Sequence, residues 1–278
     1  MSTSIKNQNS IQEESKLKPY SLVGNSVILS EEYLDHLNKT LIEKTPQEII
    51  EWSIETFPNL FQTTAFGLTG LVTVDILSKL PKGFKIELIF IDTLHHFPQT
   101  LDLVSKIQSR YPNNKINIYK PLDCNNEFEF SQKHGESLWE TNDEKYDYYA
   151  KVEPTQRSYR DLKVSAVFTG RRRSQGGARN SLPIIEIEES SGIIKINPFA
   201  NWSFQQVLEY IKNNNVPYNE LLDLGYRSVG DYHSTLPVKE GEDERAGRWK
   251  GQNKTECGIH ETSKFAKYLK ESNSTRVE

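Results

Sequence analysis

Residues 60–119 read LFQTTAFGLTGLVTVDILSKLPKGFKIELIFIDTLHHFPQTLDLVSKIQSRYPNNKINIY, and the spacing of their apolar positions switches back and forth. Leu60–Phe66 carries a strand pattern that stops at Gly67. Thr69–Leu80 then places Leu71, Val72, Val74, Ile76 and Leu77 at helical spacing. Ile86–Ile91 (IELIFI) is short and almost wholly apolar, the pattern of a strand buried on both faces. Pro98 opens a helix to about Tyr111, since proline at a first helical position gives up a donor that has no partner there anyway. Ile116–Tyr119 returns to strand. Strands alternating with helices predict an α/β fold: a twisted, mostly parallel sheet flanked by helices on both faces.

Working outward, two helices precede this region. The first covers about 30–43, with Ser30 as cap and Leu34, Leu37 and Leu41 on one face. The second opens with Thr45 as cap, Pro46 at the first helical position and Glu48 three after the cap. Downstream, about 126–162 is helical and rich in aromatic residues, and Val164–Phe168 is strand-like. IIEIEE and GIIKINPF meet at Ser191-Gly192, a hairpin expected on the sheet's edge. A helix follows at Ser203–Asn214. Residues 1–29 read as a mobile tail, 30–236 as the α/β domain and 237–278, polar and Gly-rich, as a flexible C-terminal arm.

The 278 residues carry 36% hydrophobic and 26% charged side chains, ample for a sizeable core. Lys plus Arg number 34 and Asp plus Glu 38, a net charge of −4. Such a balance gives no general attraction for nucleic acid or an anionic membrane, so a bound anion must meet a local basic cluster. The longest apolar run is four residues, Leu88–Ile91, against roughly 20 for a membrane span. The first twenty residues lack the apolar stretch of a secretory signal. Two cysteines, Cys124 and Cys257, exclude a disulfide framework or a four-cysteine metal site, and a reducing compartment such as the cytosol is expected.

Four segments stand out as candidate chemistry. Thr64–Gly70 (TAFGLTG) lies at a strand-to-helix junction, where glycine admits a ligand and free helix N–H groups favour an anion; it is neither a Walker A loop nor GxGxxG, and a simple tight turn explains it equally well. Ile91–Pro98 follows the most apolar strand, on the side where open α/β sheets bind ligands. Its Asp92 and Thr93 either meet a base or ribose or cap the next helix, while adjacent His95 and His96 point apart and make no metal site. Thr169–Arg179 packs four arginines into nine residues among glycines, which suits a small polyanion with phosphate or sulfate oxygens. Lys254–His260 (KTECGIH) sets Cys257 among charged residues, near Lys250, Lys254 and His260. Cations of that kind lower a thiol's pKa, so a nucleophile is expected there. Cys124 has only acidic company and reads as structural.

Taken in order, IFIDTLHHFPQT, FTGRRRSQGGARNSLP, ERAGRWKG and KTECGIH resemble the phosphoadenylyl-sulfate (PAPS) reductases of sulfate assimilation, the fungal enzymes above all, over about residues 30–262. The resemblance implies an adenine nucleotide alpha hydrolase-like (PP-loop) fold with a modified phosphate loop at Thr64–Gly70. The SGGxDS of ATP-cleaving relatives is absent. It also implies reduction of PAPS to sulfite and adenosine 3′,5′-bisphosphate through an S-sulfonate on Cys257, leading to cysteine and methionine. Electrons would come from reduced thioredoxin or glutaredoxin, with no bound cofactor or metal. By the same resemblance Phe66, Gly67 and Thr69 hold nucleotide and phosphate, and Asp92 and Thr93 the adenosine end. Arg171, Arg172, Arg173, Gly176, Arg179, Lys250, Lys254, Thr255 and Gly258 surround the anionic groups, and His233, Trp249 and His260 line the site. Related adenylyl-sulfate reductases bind an iron–sulfur cluster through a cysteine pair and a later CxxC. Cys124 and Cys257 cannot supply four such ligands, which implies the cluster-free branch. Leu94 stands where many relatives carry glycine, so the backbone there is open to question. A cytoplasmic homodimer without membrane or nucleic-acid partners is further implied. Two other readings remain: an ATP pyrophosphatase or nucleotidyl transferase needing Mg²⁺, and a silent nucleotide- or RNA-binding module built on the arginines.

Overall fold

The computed structural model describes residues 21–23, 26–188, 191–251 and 254–269. Within the stretch expected as a tail, Ser21–Val23 (β1) and Ser26–Ile28 (β2) pair antiparallel; residues 1–20 lie outside the described residues. Helix α1 (Glu31–Leu41) begins where the Ser30 hydroxyl accepts the Tyr33 N–H, and α2 (Pro46–Thr56) where Thr45 and Glu48 cap each other reciprocally.

The sheet contains β3 (Leu60–Thr63), β4 (Glu87–Ile91), β5 (Ile116–Tyr119), β6 (Ala166–Phe168), β7 (Ile185–Ile187) and β8 (Ile194–Ile196), in the order β5-β4-β3-β6-β8-β7. Every pairing is parallel except the β7–β8 edge hairpin. The helices are α3 (Leu68–Lys79), α4 (Pro98–Arg110), α5 (Glu127–His134), α6 (Leu138–Thr141), α7 (Asp143–Asp147), α8 (Glu153–Asp161) and α9 (Phe204–Asn213). Alternate strand residues point to opposite faces, and β4 shows the consequence. Leu88 and Phe90 join the main core with α1, α2, α3, α4 and α9, whereas Ile89 and Ile91 pack on the other face with Val167, Tyr159 and Val164. Helix α3 is the most enclosed: Leu71, Val72, Val74 and Leu77 are fully buried, each stabilising the fold by roughly 1.5–3 kcal/mol.

Strand β3 lies between β4 and β6, and their carboxyl ends open together. A crevice at such a switch of strand order is where open α/β sheets take ligands. Two local departures from the sequence pattern shape it. The strand expected over Leu60–Phe66 ends at Thr63, because the Thr64 hydroxyl accepts the Phe66 N–H and Phe66 turns into the left-handed region at φ 53°. Between α7 and α8, Tyr148–Val152 forms a single π-helical turn, a widening often found at functional sites.

Candidate active site

A cavity of about 260 Å³ fills the crevice. The start of α3 forms one wall. Gly67 is its N-cap, without a side-chain hydrogen bond, so the first amide groups of the helix are left for an anion. The arginine segment forms the facing wall. A Cβ on Gly170 would stand 3.2 Å from the Gly70 nitrogen, so glycine at position 170 lets the two loops touch. Arg172 Nε then donates to Thr69 Oγ1 at 2.9 Å.

The remainder of the lining comes from segments far apart in the chain. Residues 237–251 and 254–269, expected to be an arm, fold back across the crevice, bridged at Thr235 and Arg248. This brings Arg245, Arg248, Trp249, Glu256, Cys257 and His260 into the cavity wall with Arg171, Arg172 and Arg179. The cations are mostly held by carboxylates. Arg172 Nη2 meets both oxygens of Glu244 at 2.7 Å, and Arg179 meets both oxygens of Glu256 at 2.6 Å. Arg171 pairs with Glu186, and Lys195 with Glu188. Arg248 differs. Its guanidinium stacks 4.4 Å above the Trp249 ring, and among the described residues its buried Nε has no hydrogen-bond partner. A buried, unsatisfied guanidinium donor is ready for an incoming anion.

Behind Cys257 lies a buried charge network. Lys151, in the π turn, donates to Asp147 at 2.9 Å and sits 2.9 Å from Asp231. Asp231 also accepts from the Thr93 hydroxyl at 2.6 Å and the Tyr146 hydroxyl at 3.0 Å. Burial pushes the Asp231 carboxyl up, but Lys151, His96 and Thr93 outweigh it and hold the group ionised. Burial likewise opposes the charge on Lys151, and Asp147, Asp231 and Cys257 more than restore it. Cys257 is half-buried. Burial pushes its thiol up and Asp147 adds to that, while Lys151 and Arg248 pull it down without prevailing. In this closed arrangement the thiol is therefore raised, contrary to the expectation from local sequence. The cations that act on it are Lys151 and Arg248, not Lys250, Lys254 and His260. His260 is driven neutral by burial and by Arg171.

The family model of the phosphoadenosine phosphosulfate reductase domain matches residues 59–237. The chain is 64% identical over 260 residues to the phosphoadenosine phosphosulfate reductase of Saccharomyces cerevisiae, covering 92% of this chain and 99% of that one. The chain belongs to the phosphoadenosine phosphosulfate reductase family. Like the family it is an oxidoreductase acting on a sulfur group. Its structure is similar to that of the phosphoadenylyl-sulfate reductase from Candida auris in a phosphate complex, at 61% identity and a TM-score of 0.71, covering 76% of this chain and all (100%) of that one. The FMN adenylyltransferase of Candida glabrata, solved with ATP, is similar at 15% identity and a TM-score of 0.54 over 92% of this chain and 86% of its own, a likeness of fold alone.

Of the residues expected to serve this reductase, Phe66, Gly67, Thr69, Thr93, Arg171, Arg172, Arg179, Trp249, Cys257 and His260 line the cavity. The Phe66 ring itself packs on Phe90 in the core, 5.4 Å between centroids. Asp92 is outside the lining; its carboxylate accepts the Leu94 N–H at 3.0 Å and faces Lys120, so it braces the turn. Leu94 adopts φ 68° there, keeping a left-handed turn despite its side chain. Arg173 points away, donating to the Leu182 carbonyl and to Asn201. Gly176 supplies a turn at φ 71°, and Lys250 is exposed. Lys254 is bound to Asp143 and Asp147, the Gly258 N–H to Asp147, and the Thr255 carbonyl accepts from Arg245. His233 stacks on Trp139 at 4.3 Å, behind Asp231. It is outside the cavity lining, 3.8 Å from Asp231, and anchors the loop instead of lining the site. Lys151, Asp231, Arg245 and Arg248 were not singled out; the last two stand inside ERAGRWKG, whose basic spacing was their available signal.

Proposed function

We propose that the chain reduces 3′-phosphoadenylyl sulfate (PAPS) to sulfite and adenosine 3′,5′-bisphosphate, with Cys257 as nucleophile. The observation that carries this reading is the placement of Cys257 in one cavity with the glycine turn of α3 and the guanidinium of Arg248. The helix start and the arginines take the nucleotide and its phosphates. The Cys257 thiolate attacks the sulfur, its S–S bond forms as the S–O bond to the nucleotide breaks, and the bisphosphate leaves with that electron pair. Lys151 and Arg248 offset the negative charge that meets the thiolate. A thiolate of reduced thioredoxin or glutaredoxin then attacks Cys257 Sγ, and sulfite departs. The reductant's second thiol resolves the mixed disulfide, so the protein regains its thiol and the reductant ends as a disulfide.

Such a cycle uses no metal or iron–sulfur cluster. Since Cys257 is half-buried in a cavity wall it shares with Arg245, Arg248 and Trp249, the segment 237–260 opens between the two half-reactions to admit a protein reductant. The cytosol supplies such reductants, and the family resemblance alone carries the expectation of a homodimer. Among the described residues no helix is long and apolar enough to cross a membrane.

The test is sulfite release from PAPS with reduced thioredoxin, comparing the wild type with Cys257→Ser. Release by the wild type only supports the reading, and release at equal rates by both overturns it. An activity requiring ATP and Mg²⁺, with Cys257 dispensable, would instead favour a pyrophosphatase.

A further inference from the structure

Glu256 puts a carboxylate immediately before the cysteine, the wrong sign beside a thiol that must meet a sulfonate. Yet it is 5% exposed and closely held. Its two oxygens take Nε and Nη2 of Arg179 at 2.6 Å each, Arg245 approaches to 3.5 Å, and the amide N–H of Cys257 itself donates to Oε1 at 2.9 Å. Arg179 belongs to the arginine segment, 77 positions away. Among the contacts that fasten the cysteine segment to the facing wall, this one includes the backbone of the nucleophile. Bidentate guanidinium–carboxylate pairs fix direction as well as distance. A buried pair of this kind is strongly disrupted by removing either partner.

We propose that Glu256 is a positioning residue: through Arg179 it docks the backbone of Cys257 onto the arginine wall, so the cysteine faces the cavity only while this pair is closed. The proposal rests on the reading of Cys257 as nucleophile for its kinetic consequence, and on geometry alone for the docking. Opening the pair releases the segment toward a protein reductant, and closing it restores the position for attack. Glu256 thus favours the first half-reaction and opposes the second.

The test measures backbone amide hydrogen exchange across residues 254–260 in the substrate-free protein, for the wild type, Glu256→Gln, Arg179→Gln and the double variant. Exchange about tenfold faster in each single variant, with the double variant no faster than either, is expected from loss of one charged, bidentate contact. Two single variants that add fully, or exchange unchanged from the wild type, would overturn the docking role. Single-turnover transfer from PAPS to Glu256→Gln should fall about tenfold, while thioredoxin-driven release from preformed S-sulfonate is not slowed; equal slowing of both steps would also overturn it. Arg179→Gln reads the same contact should Glu256→Gln fail to fold. Absence of any adduct on the wild type would sink the nucleophile reading instead, leaving the exchange result standing.

Discussion

Lys151 Nζ lies 2.9 Å from Asp231 Oδ2, with only 6% and 2% of the two side chains exposed. The pair ties the π turn to the loop behind Cys257 and keeps a permanent cation facing the thiol. Replacing Lys151 with Ala takes the lysine from buried Asp231 and leaves Asp147 to Lys254, which should cost about 3–5 kcal/mol of stability. The same change removes the strongest influence lowering the Cys257 thiol. S-sulfonate formation should slow by about a hundredfold or more. Denaturant melts and single-turnover assays check the two effects; a variant as fast as the wild type would contradict the assigned role.

The raised thiol of Cys257 predicts a definite pH response. Only the thiolate attacks, so below the thiol's pKa reactivity rises with each proton released. In substrate-free Cys124→Ser protein, alkylation by iodoacetamide should climb about tenfold per pH unit between roughly pH 7 and 9. A plateau beginning near neutrality would show a depressed thiol, against the structure.

Burial pushes the imidazole of His233 down from 6.5 to about 4, with Asp231 opposing. Its folded pKa is below its unfolded one, so the unfolded chain binds the proton first. This residue contributes no penalty above about pH 6.5, and stability is lost as pH falls from there toward 4. Allowing for partial solvent exposure, the loss is on the order of 1–2 kcal/mol. Thermal unfolding of His233→Phe should show a correspondingly shallower acid limb; an unchanged slope would contradict this.

Gly170 lets the arginine loop close on the start of α3, and Gly70 leaves room for Thr64 within its own loop. A methyl at Gly70 would meet Thr64 Oγ1 at 2.6 Å, and one at Gly170 would press on the Gly70 nitrogen at 3.2 Å. Gly170→Ala should part the loops slightly and weaken binding of adenosine 3′,5′-bisphosphate about tenfold, an overpacking cost of roughly 1.4 kcal/mol. Calorimetric titration reads this directly, and unchanged affinity would remove the close approach from the account.

Much of the fold was legible in residues 60–119, because a strand buried on both faces and an amphipathic helix impose different apolar spacings on the chain. The caps at Ser30 and Thr45 were equally visible, being contacts over three residues. The site was legible only where chemistry is clustered locally, as in the arginine segment and around Cys257. Its counterions were not. Glu244 meets Arg172 across 72 positions and Asp231 meets Tyr146 across 85, and local periodicity carries no information about such pairs. For the same reason local sequence assigns nearby Lys254 to the thiol, whereas folding gives it to Asp143 and Asp147 and brings Lys151 instead. Asp92 shows the converse case, a residue at the right place in the topology whose carboxylate is used up by its own turn.

The most direct measurement is intact-protein mass spectrometry of reduced protein incubated with PAPS in the absence of any reductant, beside Cys257→Ser. The account predicts a gain of one SO₃ on the wild type alone, lost as sulfite when reduced thioredoxin is added. No adduct on the wild type, or the same adduct on Cys257→Ser, would contradict it.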